Sequence, residues 1–225
     1  MKYLVVVAHP DDEILGAGAS IFKWTSQGDN VFVLVLCSQV DKRNNRPSEN
    51  ELSLDVLNAN KIIGVTNIFK RDFKNLALNS TPHFEIVEAI EEVINEVEPD
   101  IVITHHPSDL NIDHFVVSLA CNAASKLFVR KPNIKPIKKV LYMEVLSSTD
   151  WNINPAYSVF NPNYFVEVGE KAIQAKIDSL AQYIGVMRDY PHSRSKESLM
   201  ALATIRGSQS GEMYAEAFQI GFERD

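Results

Sequence analysis

Residues 3–8 (YLVVVA) have no polar face. A strand that is apolar on both sides must be covered on both sides, the condition of a strand inside a parallel sheet flanked by helices. Residues 31–37 (VFVLVLC) repeat the demand, and residues 14–27 between them read as a helix stopped by Gly28. The alternation continues with a helix over 48–63, a strand over 67–70, a helix over 82–97 with Pro82 near its start and Pro99 just past its end, and a strand over 100–104. A helix over 112–127 and a strand over 139–145 follow. The last third is less regular: a polar loop over 147–163, a strand over 164–168, and helices over 169–184 and 194–204. This pattern predicts an α/β fold, a three-layer Rossmann-like, mostly parallel sheet with helices on both faces. Its length of 225 residues suits one domain over residues 1–225.

A formal charge of −7 argues against a nucleic-acid partner, because backbone binding wants a basic face. The basic stretch 131–139 (KPNIKPIKK) holds two prolines and reads as a solvated loop. No run approaches the roughly 18 apolar residues of a membrane span, and the first apolar run lacks a cleavage site, so no signal peptide is expected. Two cysteines, Cys37 and Cys121, cannot build a disulfide framework, and a cytoplasmic setting is expected.

In an open parallel sheet, ligands bind beyond the carboxyl ends of the strands. Two polar clusters fall there: His9-Pro10-Asp11-Asp12-Glu13 after the first strand, and residues 105–114 (HHPSDLNIDH) after the fourth. Packing one imidazole and three carboxylates into one turn is costly unless a cation lies among them. An imidazole and a carboxylate from one cluster and an imidazole from the other would make a two-His, one-carboxylate set with open positions, which suits a catalytic divalent metal. A remaining carboxylate can act as general base toward water, and the combination points to amide or ester hydrolysis without a covalent intermediate.

Ala8-His9-Pro10-Asp11-Asp12-Glu13, with Asp113-His114 opening a helix past the fourth strand, resembles the LmbE-like, or PIG-L, de-N-acetylase family. Further blocks resemble one bacterial branch of it: 147–151 (SSTDW), 160–163 (FNPN), 191–195 (PHSRS), 206–208 (RGS) and 215–218 (AEAF). The resemblance implies His9, Asp12 and His114 as metal ligands, zinc first with iron or manganese as alternatives, and Asp11 as general base. Its implied substrate is an N-acetylated sugar-containing small molecule or glycoconjugate, and it is compatible with a homo-oligomer. Asp113 reads either as a carboxylate supporting the ligands or as charge compensation at a helix start.

Many members of that family carry a histidine where this chain has Asn111, as electrophile and acid for the leaving amine. An asparagine amide can donate to an oxyanion but cannot deliver a proton at neutral pH. Either another histidine supplies the proton, His192 first and His105 or His106 after it, or Asp11 hands it on directly. Arg194 reads as a clamp for a phosphate or carboxylate of the substrate, or as an exposed helix-start arginine; Arg46 carries the same ambiguity. With Asn111 and His106 it completes the expected substrate contacts. Trp151 reads as a sugar-stacking ring or a core anchor, Cys121 as a packing residue. Gly16 and Gly18 do not make a dinucleotide turn, since acids fill it. Two rival readings are a non-catalytic sugar or sugar-nucleotide binding module that keeps the fold, and a phospho-acceptor domain, against which His9 and His114 argue.

Overall fold

The computed structural model describes residues 1–38, 48–154 and 156–225; Arg46 lies outside them. Five parallel strands form the expected sheet: β1 (Lys2–Val7), β2 (Asn30–Val35), β3 (Asn67–Lys70), β4 (Ile101–His105) and β5 (Lys139–Met143). Helices α1 (Asp12–Ser26), α2 (Glu49–Ile62), α3 (His83–Val97) and α4 (Ile112–Ala124) lie between them, with the short α5 (Leu127–Arg130) after α4. The chain then runs through β6 (Tyr164–Glu167), α6 (Gly169–Leu180), α7 (Lys196–Ser210) and β7 (Ala215–Glu223).

The strand order is β3-β2-β1-β4-β5-β7-β6. From β1 the chain moves outward to β2 and β3, then returns to place β4 on the other side of β1, pairing Val6 with Thr104. The switch point therefore lies between β1 and β4, and the two polar clusters leave the carboxyl ends of neighbouring strands. Apolar side chains fill both faces of the sheet. Val5, Val7, Val33 and Ile103 pack with α1, α2 and α6 on one side, and Leu4, Val6, Leu34 and Val102 with α3 and α4 on the other.

β7 departs from the expected pattern. It runs antiparallel between β5 and β6, with a register shift opposite Val140 and Leu141. Its first four residues, Ala215 to Phe218, are all buried, so it lacks the alternation that marks a strand covered on one face. Glu216 sits inside that buried run and is paired with Lys176 of α6 at 2.6 Å. The pair is wired into α1: Lys176 Nζ donates to the Leu15 carbonyl at 2.7 Å, and Glu216 accepts from the Ala19 and Ser20 N–H groups at 3.2 and 2.7 Å. On the same helix Gly16 presses against β5, where a Cβ would stand 2.3 Å from Met143 Sδ.

The run from Ile112 to Arg130 is long and apolar enough to cross a bilayer by composition, but half of it is buried inside the fold, as a core helix requires. Cys121 is one of those core residues, and Cys37 is also buried and free.

Candidate metal centre

The turn after β1 is built around an unusual backbone. Asp11 is the N-cap of α1 with φ +106°, a region that non-glycine residues rarely enter and that costs of order 1–3 kcal/mol. Its carbonyl accepts from the N–H groups of Ile14 and Leu15 at 3.1 and 2.9 Å. Glu13 Oε2 accepts its N–H at 3.1 Å. Tyr183 Oη and Asn60 Nδ2 in turn donate to Glu13 Oε1, at 2.5 and 2.9 Å. Burial pushes the Glu13 carboxyl up to about 7 against these donors. Neither Tyr183 nor Asn60 announces itself in the sequence, because each lies far along the chain.

The tight turn brings Asp12 back under His9, whose N–H donates to Asp12 Oδ2 at 2.9 Å. His114 reaches the same point from the first turn of α4. Three donor atoms converge: His9 Nδ1 and Asp12 Oδ2 are 3.2 Å apart, Asp12 Oδ2 and His114 Nε2 3.1 Å, and the two ring nitrogens 3.3 Å. Ligands held about 2.0–2.1 Å from a tetrahedral zinc are separated by roughly 3.3–3.4 Å. All three side chains are buried and could hold one metal ion. The residues present therefore fit the cation that the chemistry of the clusters implies.

The opposite edge of each ring is held by a carboxylate. Asp113 Oδ2 lies 2.9 Å from His9 Nε2 and also accepts from the Leu76 N–H at 2.6 Å, while its Oδ1 accepts from the Leu78 N–H at 3.1 Å. Asp109 Oδ2 lies 3.1 Å from His114 Nδ1 and accepts from Thr149 Oγ1 at 2.8 Å. Carboxylates placed in this way fix which nitrogen faces the ligand point and raise its basicity. Asp109 was present in the second polar cluster, but nothing in its spacing singles it out.

The electrostatics follow from three buried acids meeting three imidazoles. Burial opposes charge on His114, yet Asp12 and Asp109 outweigh it and push the ring up to about 10. Burial also works against ionised Asp12, and the His114 and His9 rings hold it well below the usual carboxylate range. His105 goes the other way: burial, reinforced by His114 stacked 3.8 Å away, holds it down at about 3. Its Nε2 accepts the Ala8 N–H at 2.9 Å, tying the end of β4 to that of β1.

The remaining expected residues divide. Arg194 precedes α7, whose N-cap is Ser195, and does not splay into solvent: Nη1 donates to Asp11 Oδ2 at 3.1 Å and Nε to Ser147 Oγ at 2.8 Å. His192 is exposed on the preceding loop, its Nδ1 accepting the Arg194 N–H at 3.0 Å. Asn111 caps α4, its Oδ1 accepting from the Asp113 N–H at 3.0 Å. His106, expected as a substrate contact, is 1% exposed; its Nδ1 accepts from the Ser108 N–H and its Nε2 meets Gln219 Oε1 at 3.1 Å. Trp151 is 57% exposed, which removes its reading as a core anchor.

With this geometry in place, comparison with known proteins is informative. Residues 4–125 match the profile of the PIG-L family, described as GlcNAc-PI de-N-acetylase. The diacetylchitobiose deacetylase of Thermococcus kodakarensis is 27% identical over 97% of this chain and 82% of its own length. Among solved structures, the conserved protein TT1542 of Thermus thermophilus superposes with a TM-score of 0.80 at 21% identity, covering 99% of this chain and 96% of that one. The 4-carboxy-2-hydroxymuconate hydratase GalB of Pseudomonas putida superposes with a TM-score of 0.76 at 20% identity, covering 100% and 98%. These two likenesses concern the fold, and the fold evidently carries more than one chemistry.

Proposed function

The chain belongs to the GlcNAc-PI de-N-acetylase (PIG-L) family, and from that premise we propose that it hydrolyses the acetamide of an N-acetylated amino sugar, releasing acetate and the free amine. The observation that carries this reading is the convergence of His9 Nδ1, Asp12 Oδ2 and His114 Nε2 on one point, with Asp11 next in the chain. These three would hold a divalent cation, zinc by ligand type, which when bound supplies Lewis acidity that activates water and polarises an amide carbonyl.

The protein's own groups do the rest. Asp11 accepts the proton of the attacking water as a new C–O bond forms at the acetamide carbon. As the C–N bond breaks, the departing nitrogen takes a proton, and the carbonyl oxygen is restored in acetate. His105 is unsuited to deliver that proton, because its Nε2 is already an acceptor and its pKa is about 3. We assign the transfer to Asp11 itself; His192, exposed and accepting the Arg194 N–H, is the histidine the sequence offers as an alternative donor. Asp113 and Asp109 orient the two ligand rings, and Asn111 presents its amide at the head of α4.

The test is acetate release from a panel of N-acetylated sugars, free, nucleotide-linked and lipid-linked, with and without chelator. Turnover that chelator abolishes, and that Asp11→Asn removes while stoichiometric metal remains, is the expected result. A protein that binds sugar without releasing acetate would be a binding module instead.

A further inference from the structure

Asp109, which holds the outer edge of His114, also lines a cavity of about 190 Å³. Leu110, Ile112, Phe115, Ile153 and Tyr157 supply its apolar wall. Four of these are well exposed: Ile153 at 80%, Leu110 at 58%, Tyr157 at 54% and Ile112 at 44%. Single exposed apolar side chains are ordinary, but several around one concavity mark a binding surface. The amides bordering the cavity are partly engaged with their own loop, Asn152 Nδ2 donating to the Ser158 carbonyl at 3.2 Å and Asn154 Oδ1 accepting the Ala156 N–H at 3.0 Å. What the cavity offers a ligand is chiefly apolar contact.

We infer that this cavity is a subsite for an apolar group carried by the substrate beyond the sugar whose acetamide is hydrolysed. The inference rests on the deacetylase reading and deepens it. Two observations choose this occupant. First, the cavity shares Asp109 with the metal centre, and Thr149, which shortly precedes the lining residues Asn152 and Ile153, donates to the same carboxylate. A ligand seated there is one side chain away from His114. Second, the size suits a small group: a dry cavity of about 150 Å³ accepts benzene, so 190 Å³ takes one ring or a short alkyl chain rather than the face of a protein element. Each methylene buried there would tighten binding about fourfold.

Two measurements test this, one of them independent of turnover. Methyl and octyl β-N-acetylglucosaminides are compared as substrates of the metal-loaded protein. The KM of the octyl compound should be at least tenfold lower, and Ile153→Asp or Tyr157→Ser should bring the ratio of the two toward one. In parallel, calorimetry follows binding of an octyl glycoside that lacks an acetamide, below its micelle concentration. Saturable binding lost in Ile153→Asp supports the subsite even if neither N-acetylglucosaminide is hydrolysed, an outcome that would count against the proposed chemistry alone. Equal KM values for the two substrates, or octyl binding unchanged by Ile153→Asp, would overturn the subsite. So would sedimentation showing a dimer that Ile153→Asp dissolves, since the wall would then serve a second copy of the chain.

Discussion

Arg194 and Asp11, 183 positions apart in sequence, meet in a hydrogen-bonded ion pair, Nη1 to Oδ2 at 3.1 Å. The same guanidinium holds Ser147, which like Asp11 has a positive φ, +74°. One side chain thus ties two strained residues, one after β1 and one after β5, to the approach of α7. A charge-assisted bond of this kind contributes about 1.5–3 kcal/mol. Arg194→Met should lower kcat by about 10- to 100-fold, and Arg194→Lys should restore part of it. Metal content, measured on the same samples, should stay stoichiometric. If kcat is unchanged in Arg194→Met, the guanidinium does not position Asp11.

The carboxylate on the far edge of His9 makes a separate claim. Asp113→Ala leaves the donor trio intact but frees the ring, and such outer partners typically contribute 10- to 100-fold in metal affinity. Competition against a chromophoric chelator should show about that loss, whereas His114→Ala should leave no stoichiometric metal at all.

Glu13 predicts a pH dependence of stability. Burial lifts its pKa from 4.5 to about 7 in the folded chain, so the folded state holds the proton more firmly than the unfolded one. The resulting stability is fully present below pH 4.5 and is lost as pH rises through 7, on the order of 3 kcal/mol in all. Urea denaturation in the presence of chelator should show this decline, and Glu13→Gln should flatten it. A wild-type curve that is level from pH 5 to 8 would refute the assignment.

Gly16 is fixed by space. A Cβ there would stand 2.3 Å from Met143 Sδ and 2.7 Å from its Cγ, and overpacking a close contact costs about 1–3 kcal/mol. Gly16→Ala should lower the unfolding free energy measured in urea by that amount, and the double change with Met143→Ala should recover part of it.

Much of the fold was legible because its strands carry their burial in their composition: residues 3–8 and 31–37 have nowhere to go but a sheet covered on both sides. The two polar clusters were legible as neighbours because they follow adjacent strands, but His9, Asp12 and His114 were singled out among their residues by the family resemblance, and their donor atoms do lie within reach of one ion. β7 was not legible. Its buried Glu216 interrupts the apolar run, and that charge is tolerable only because Lys176 stands opposite, a fact no local window contains. The partner of Arg194 was hidden for the same reason. An arginine before a helix looks alike whether it faces solvent or an aspartate from the other end of the chain, and only the closed sheet decides. The surroundings of His106 were hidden as well, since its place beside His105 said nothing of Gln219, whose Oε1 lies 3.1 Å from its Nε2.

The salt bridge threaded into α1 bears on the order in which the chain can become competent. The turn holding His9 and Asp12 leads into a helix whose Ala19 and Ser20 N–H groups and Leu15 carbonyl bond to Glu216 and Lys176, side chains far along the sequence. A variant without β7 would carry every proposed ligand and still present them on an unfinished support.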